Sequence, residues 1–115
     1  MKARFATAEE FKKIYPECPY SFKGWVIEDK KKEISVIGGL LLDSRYSTMI
    51  FNVVKDLPAK TIWKACKTLI NECGKFSSIF YAVRDEKIPN SKRFLEKLGF
   101  KHHSNNIYIW QGSRY

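Results

Sequence analysis

Asn90-Ser91-Lys92-Arg93-Phe94-Leu95-Glu96-Lys97-Leu98-Gly99-Phe100 is the stretch whose reading decides the fold of this chain. Phe94, Leu95 and Leu98 fall at i, i+1 and i+4, which is one apolar stripe on a short helix. Lys92, Arg93, Glu96 and Lys97 take the other face. Asn90 or Ser91 is placed to cap the start, because a short side-chain oxygen accepts an orphan backbone N–H there. Gly99 fits the left-handed residue just past a helix end. Phe100 then leads into a strand.

Working back from this helix, residues 78–83 read as a strand, Ile79-Phe80-Tyr81-Ala82-Val83. It shows little alternation, which predicts burial on both faces. Before it lies the strongest periodic signal in the chain. Ile62, Ala65, Cys66, Leu69, Ile70 and Cys73 recur at i, i+3, i+4, i+7, i+8 and i+11, a long amphipathic helix that Gly74 is expected to close. Residues 47–54 read as a strand, and residues 55–61 connect it to that helix.

Residues 24–28 and 33–42 read as antiparallel strands joined by the charged turn Asp29-Lys30-Lys31-Lys32-Glu33. Gly38-Gly39 marks a bulge or a close backbone approach. Residues 2–6 form a first strand. Thr7 and Glu10 then sit at capping-box spacing before Phe11, Ile14 and Tyr15, and Pro16 ends that helix. Downstream, residues 106–111 make the last strand, with room for one more at 100–102. The order β-α-β-β-β-α-β-α-β predicts an α/β (α+β) domain over residues 1–115, with a mixed sheet of about six strands and helices on both faces.

Three cysteines leave no paired framework. Cys66 and Cys73 share a helix face roughly 10 Å apart, too far for a disulfide. His102 and His103 have no ligand partners at metal spacing, so no metal is expected. No apolar run approaches the length of a membrane span. The start, Met1-Lys2-Ala3-Arg4-Phe5, lacks a signal-peptide apolar region, so a cytoplasmic location is expected. Lys and Arg exceed Asp and Glu by 21 to 12, a net charge of +9. The dense run at Lys30-Lys31-Lys32 reads as a solvated turn, or as attraction to an anionic cofactor, nucleic acid or acidic protein.

The Phe-Leu-x-x-Leu-Gly-Phe ending, late in a small α/β chain, resembles the last conserved segment of the GNAT N-acetyltransferase superfamily. The resemblance extends over residues 33–111, and the element order agrees with the GNAT fold. It looks especially like short, divergent acetyltransferase-like proteins encoded by bacteriophages. Those include internal virion proteins with an Asn…Arg-Phe-Leu-x-x-x-Gly arrangement near the C-terminus. The resemblance implies an acyltransferase that carries acetyl from acetyl-CoA to an amine acceptor. In that family the fourth strand splays from the fifth and offers backbone groups to the pantetheine arm. The loop and helix start that follow offer bare N–H groups to the pyrophosphate.

Carried onto this chain, the resemblance places acetyl-CoA between Val53 and Val83. It makes Val53, Val54, Lys60, Thr61 and Asn90 the cofactor-binding candidates. Three family features depart. The pyrophosphate loop, residues 55–61, has no glycine, and Pro58 removes a donor. Strand 47–54 has no carboxylate, which leaves Asp43 and Asp56 as the nearest, both reading as turn or cap residues. Leu95 stands where the family carries its acidic Tyr, four residues before the Gly of Gly-Phe. Tyr81 and Tyr108 are the phenols nearest in the chain, and no residue is assigned a catalytic role.

Two further functions compete. A GNAT-like scaffold without catalysis would work by contact, as a virion component or by binding a host protein. Tyr108, Trp110, Arg114 and Tyr115 would then serve as anchors, against a plainer reading as sheet residues and a loose tail. A nucleic-acid binder is the other; its warrant is the +9 charge with interleaved aromatics, and no nucleic-acid motif accompanies them.

Overall fold

The computed structural model describes residues 2–19, 21–42, 46–84 and 90–111. The elements are β1 (Arg4–Phe5), α1 (Ala8–Ile14), β2 (Ser21–Glu28), β3 (Ile34–Leu42), β4 (Ser47–Val53), α2 (Ala59–Phe76), β5 (Phe80–Val83), α3 (Ser91–Lys97), β6 (Lys101–Ser104) and β7 (Ile107–Trp110). They build one seven-stranded sheet, ordered β1-β2-β3-β4-β5-β7-β6. All neighbours are antiparallel except β4 and β5, which run parallel. The seventh strand is the extra one at Lys101–Ser104.

Period two along the strands assigns the faces. Trp25, Ile27, Val36 and Leu40 join Ala65, Leu69, Ile70 and Cys73 of α2 in the main core, with Phe80, Ala82, Phe100 and Tyr108. Leu95 and Leu98 of α3 pack against the same cluster. Phe22 points the other way and stacks on Phe11 of α1, with ring centroids 4.0 Å apart. Helices α2 and α3 therefore cover one face and α1 the opposite one.

Helix α1 starts on the expected capping box. Thr7 Oγ1 accepts the Glu10 N–H at 3.1 Å, and Glu10 Oε1 accepts the Thr7 N–H at 2.9 Å. Arg4 grips both Glu10 oxygens at 3.0 and 2.8 Å and reaches Glu28 at 3.2 Å, tying β1, α1 and β2 together. Arg4, then the Thr7 backbone N–H, holds the Glu10 carboxyl down at about 2. A carboxyl lowered on folding stabilises the fold above pH 4.5, and that contribution disappears as pH falls through 2. Arg4 is 42% exposed, so solvent screening limits the pair to about 0.5–1 kcal/mol. Glu10→Gln is expected to lower the unfolding free energy by about that amount at pH 7 and to match wild type near pH 2. A difference that persists at pH 2 in urea melts would contradict this.

Helix α3 ends as expected. The Phe100 N–H donates to Leu95 O at 3.0 Å and the Gly99 N–H to Glu96 O at 3.1 Å, a Schellman closure with Gly99 at φ +105°. Its start differs. Asn90 occupies the N-cap position at φ 63° and makes no side-chain capping bond, since it is itself left-handed and not in the extended conformation of a capping residue.

Three more expectations change. Gly74 does not close α2, which runs on to Phe76. The Trp110 ring covers that point of the helix, and a Cβ on Gly74 would stand 2.8 Å from the ring, so Gly74 is a packing glycine. Strand β5 is not buried on both faces: Phe80 and Ala82 are buried, while Val83 is 66% exposed, because no described helix lies over that side. Gly38-Gly39 is a close approach and not a bulge, since the β2–β3 register shifts only between Ile27 and Glu28.

Candidate functional site

The single parallel junction creates the site. Among the described residues β4 and β5 share one pairing, Thr48 with Tyr81, and diverge beyond it. The β3–β4 register pairs Val36 with Val53, and the Val54 N–H donates to Ser35 O at 2.8 Å. In an antiparallel ladder the bonding direction alternates. Residues 48, 50 and 52 therefore bond to β3. Met49, Phe51 and Val53 turn their N–H and C=O groups toward β5, and past the junction no described residue of β5 pairs with Phe51 or Val53.

A cleft of about 960 Å³ fills the gap. Side chains from both faces of β4 line it, Thr48 and Asn52 from one and Phe51 and Val53 from the other, so it passes through the sheet beside the exposed strand edge. Ala82, Val83 and Arg84 form the β5 wall. Ile62 and Cys66 of α2 and Phe94, Leu95 and Leu98 of α3 close the inner side, and Tyr15 reaches in from the end of α1. The lining is mostly apolar, and among the described residues it holds no carboxylate.

The expected cofactor residues divide. Val53 and Asn90 line the cleft, as does Val83. Val54 lies outside and is exposed. Lys60 is exposed and Thr61 half-buried, and neither lines the cleft. The Thr61 N–H donates to Pro58 O at 2.9 Å, so this donor of the first turn is spent inside its own helix. Lys55, in the same loop, is held by Asp29 at 2.5 Å and Glu33 at 3.4 Å. That pairing lowers the Asp29 carboxyl and raises the Lys55 ammonium. Asp29 also accepts the N–H groups of Lys31 and Glu33 at 2.8 and 3.0 Å, so Lys30-Lys31-Lys32 is an ordinary hairpin turn.

The other candidates are as follows. Asp43, Arg114 and Tyr115 lie outside the described residues. Asp56 is exposed and does not line the cleft. Leu95 does line it. Tyr108 is buried in the core, and Trp110 stacks on Phe80 at 4.7 Å, so neither is a free contact anchor. Tyr81 packs edge-on against Tyr46 and His103, outside the cleft wall.

Sequence reading missed Arg84, Ser91, Asn52, Tyr15 and Cys66 as cleft residues. No local pattern marks them, because what joins them is the strand splay. Burial pushes the Cys66 thiol up to about 12, which keeps it protonated and rules it out as a nucleophile at neutral pH. Burial, then Cys18, also raises the Tyr15 phenol. Among the described residues no three His, Cys, Asp or Glu side chains gather to hold a metal, and no described helix is long and apolar enough to cross a membrane.

No protein-family model matches the chain, and no curated protein matches it. A solved structure described as "Putative GnaT-family acetyltransferase from Bordetella pertussis" superposes with TM-score 0.61 and 15% sequence identity, covering 88% of this chain and 67% of that one. That likeness establishes a GNAT-like fold, as the Phe94–Phe100 ending and the element order lead one to expect.

Proposed function

We propose that the chain binds acetyl-CoA in the β4–β5 cleft and transfers its acetyl group to an amine. The splay carries this reading: one pairing, Thr48 with Tyr81, then a β4 edge without a partner strand among the described residues, facing an apolar cleft. An extended arm bearing amides would pair with the Phe51 and Val53 backbone as an added strand, and its methylenes would lie on Val83, Phe94 and Leu98. The amine nitrogen attacks the thioester carbon, the C–N bond forms, and the C–S bond breaks to release the thiolate.

Among the described residues the lining supplies no carboxylate to take the amine proton, and Leu95 has no proton to give the thiolate. Water does both. The acceleration then comes from holding amine and thioester in reach of each other, a contribution that can be large on its own. Leu95→Tyr is accordingly expected to raise kcat about tenfold or more by adding an acid at the leaving sulfur. An unchanged kcat with intact acetyl-CoA affinity would remove the proton-transfer account. Calorimetry with millimolar acetyl-CoA tests the binding itself. Saturable heat and a raised melting temperature are expected, and neither signal at that concentration would overturn the proposal.

A second reading is a non-catalytic scaffold that contacts a host or virion protein. Its support is Leu95 in the cleft, together with Tyr46, Ile79, Val83 and Ile107 left exposed. A stoichiometric partner on purification would favour it. A monomer that turns over acetyl-CoA would sink it.

A further inference from the structure

Arg84 is the single charged side chain in the cleft wall among the described residues. It follows Val83 directly, and its backbone N–H donates to Asn106 O at 2.7 Å, which extends the β5–β7 ladder by one residue. Its Nε donates to Ser91 Oγ at 3.0 Å, at the start of α3. Strand and helix thus fix both ends of the side chain. No ion pair to Arg84 occurs among the described residues. Among the described residues the other half-buried cations are matched, Lys55 by two carboxylates and Lys23 by the face of the Phe5 ring. A half-buried guanidinium loses hydration, and the loss is made good by an anion.

We propose that Arg84 reads an anionic group on the ligand of this cleft, with its remaining N–H groups forming a fork for a phosphate or carboxylate. This rests on the acetyl-CoA reading and deepens it. The loop 55–61 leaves its Lys55 paired and its Lys60 outside the cleft wall. The charge for the ligand's anion then comes from the opposite wall, at the end of β5. Two sources share this chemistry, the phosphates of the cofactor and a carboxylate on the amine acceptor.

Calorimetry on the whole chain with coenzyme A and with phosphate-free pantetheine tests the proposal and separates the sources. Arg84→Gln is expected to weaken coenzyme A about tenfold or more and to leave pantetheine unchanged. Arg84→Lys, which keeps the charge and loses the fork, should fall between. If R84Q instead leaves coenzyme A unchanged and raises KM for an amino-acid acceptor but not for its carboxamide, the anion is the acceptor's carboxylate and the proposal stands. If R84Q moves none of these while wild type binds coenzyme A, the proposal is overturned and the acetyl-CoA reading survives. If R84Q does not fold by circular dichroism, the ratio of coenzyme A to pantetheine affinity in R84K is read in its place. If wild type binds neither compound, the acetyl-CoA reading fails. Arg84 is then tested with inorganic diphosphate: a thermal shift present in wild type and lost in R84K keeps the proposal, and no such difference overturns it.

Discussion

Gly39→Ala is expected to leave little folded protein, a loss of about 3 kcal/mol or more against a total stability of about 5–15 kcal/mol for a domain. Gly39 sits opposite Gly24 at the centre of the β2–β3 pair. A Cβ there would lie 2.4 Å from the Gly24 Cα and 2.4 Å from the Lys23 carbonyl oxygen. Both obstacles are backbone, so no rotamer relieves them, and β2 would have to move off β3. Those two strands carry Trp25, Ile27, Val36 and Leu40 into the main core and Phe22 onto α1, so separating them damages both faces.

Gly74→Ala is the informative contrast. Its new Cβ comes 2.8 Å from the outer edge of the Trp110 ring, so a side chain has to shift there but no backbone does. Ala in place of Gly within a helix returns about 1 kcal/mol. The helix gain offsets part of the cost of moving the ring, so the change should be much milder than Gly39→Ala. Urea melts of the two variants measure this directly. Gly39→Ala within about 0.5 kcal/mol of wild type would mean that the β2–β3 contact is not fixed as described.

What the chain discloses before its structure is known follows the range of each signal. The Thr7–Glu10 capping box, the stripe from Ile62 to Cys73 and the Gly99-Phe100 ending depend on residues a few positions apart, and all three appear as read. Gly74 reads locally as a helix end, but its reason is Trp110, 36 residues further on. Val83 reads locally as buried and is exposed, because whether a strand face is covered depends on where helices land, which strand composition does not record. The site divides the same way. Val53 and Asn90 lie at the ends of local elements flanking the splay and reach the cleft. Lys60 and Thr61 have side chains suited to a phosphate, but the turn that bonds Thr61 to Pro58 leaves them outside the cleft wall. Arg84 carries no pattern of its own. It became visible only once β5 and α3 were brought together around it.

Val53→Pro is expected to remove coenzyme A binding, at least tenfold, while the fold stands. The register and the Val54–Ser35 bond direct the Val53 N–H at the cleft and away from β3. Proline deletes that N–H without touching the β3 ladder, and it is tolerated where a strand's N–H side is unpaired. Its demand on the preceding residue is an extended backbone, which Asn52 within β4 already has. Asn52→Pro moves the same ring one residue along and reverses the outcome. There the lost N–H faces β3 opposite Ile37, so a ladder bond goes, the ring presses on the neighbouring strand, and the cost rises to about 3 kcal/mol or more. The pair thus tests direction alone, with chemistry and position nearly constant. If Val53→Pro binds coenzyme A as wild type does, the β4 edge is not what holds the arm. If Asn52→Pro melts no lower than Val53→Pro, the alternation that opens this edge is itself wrong.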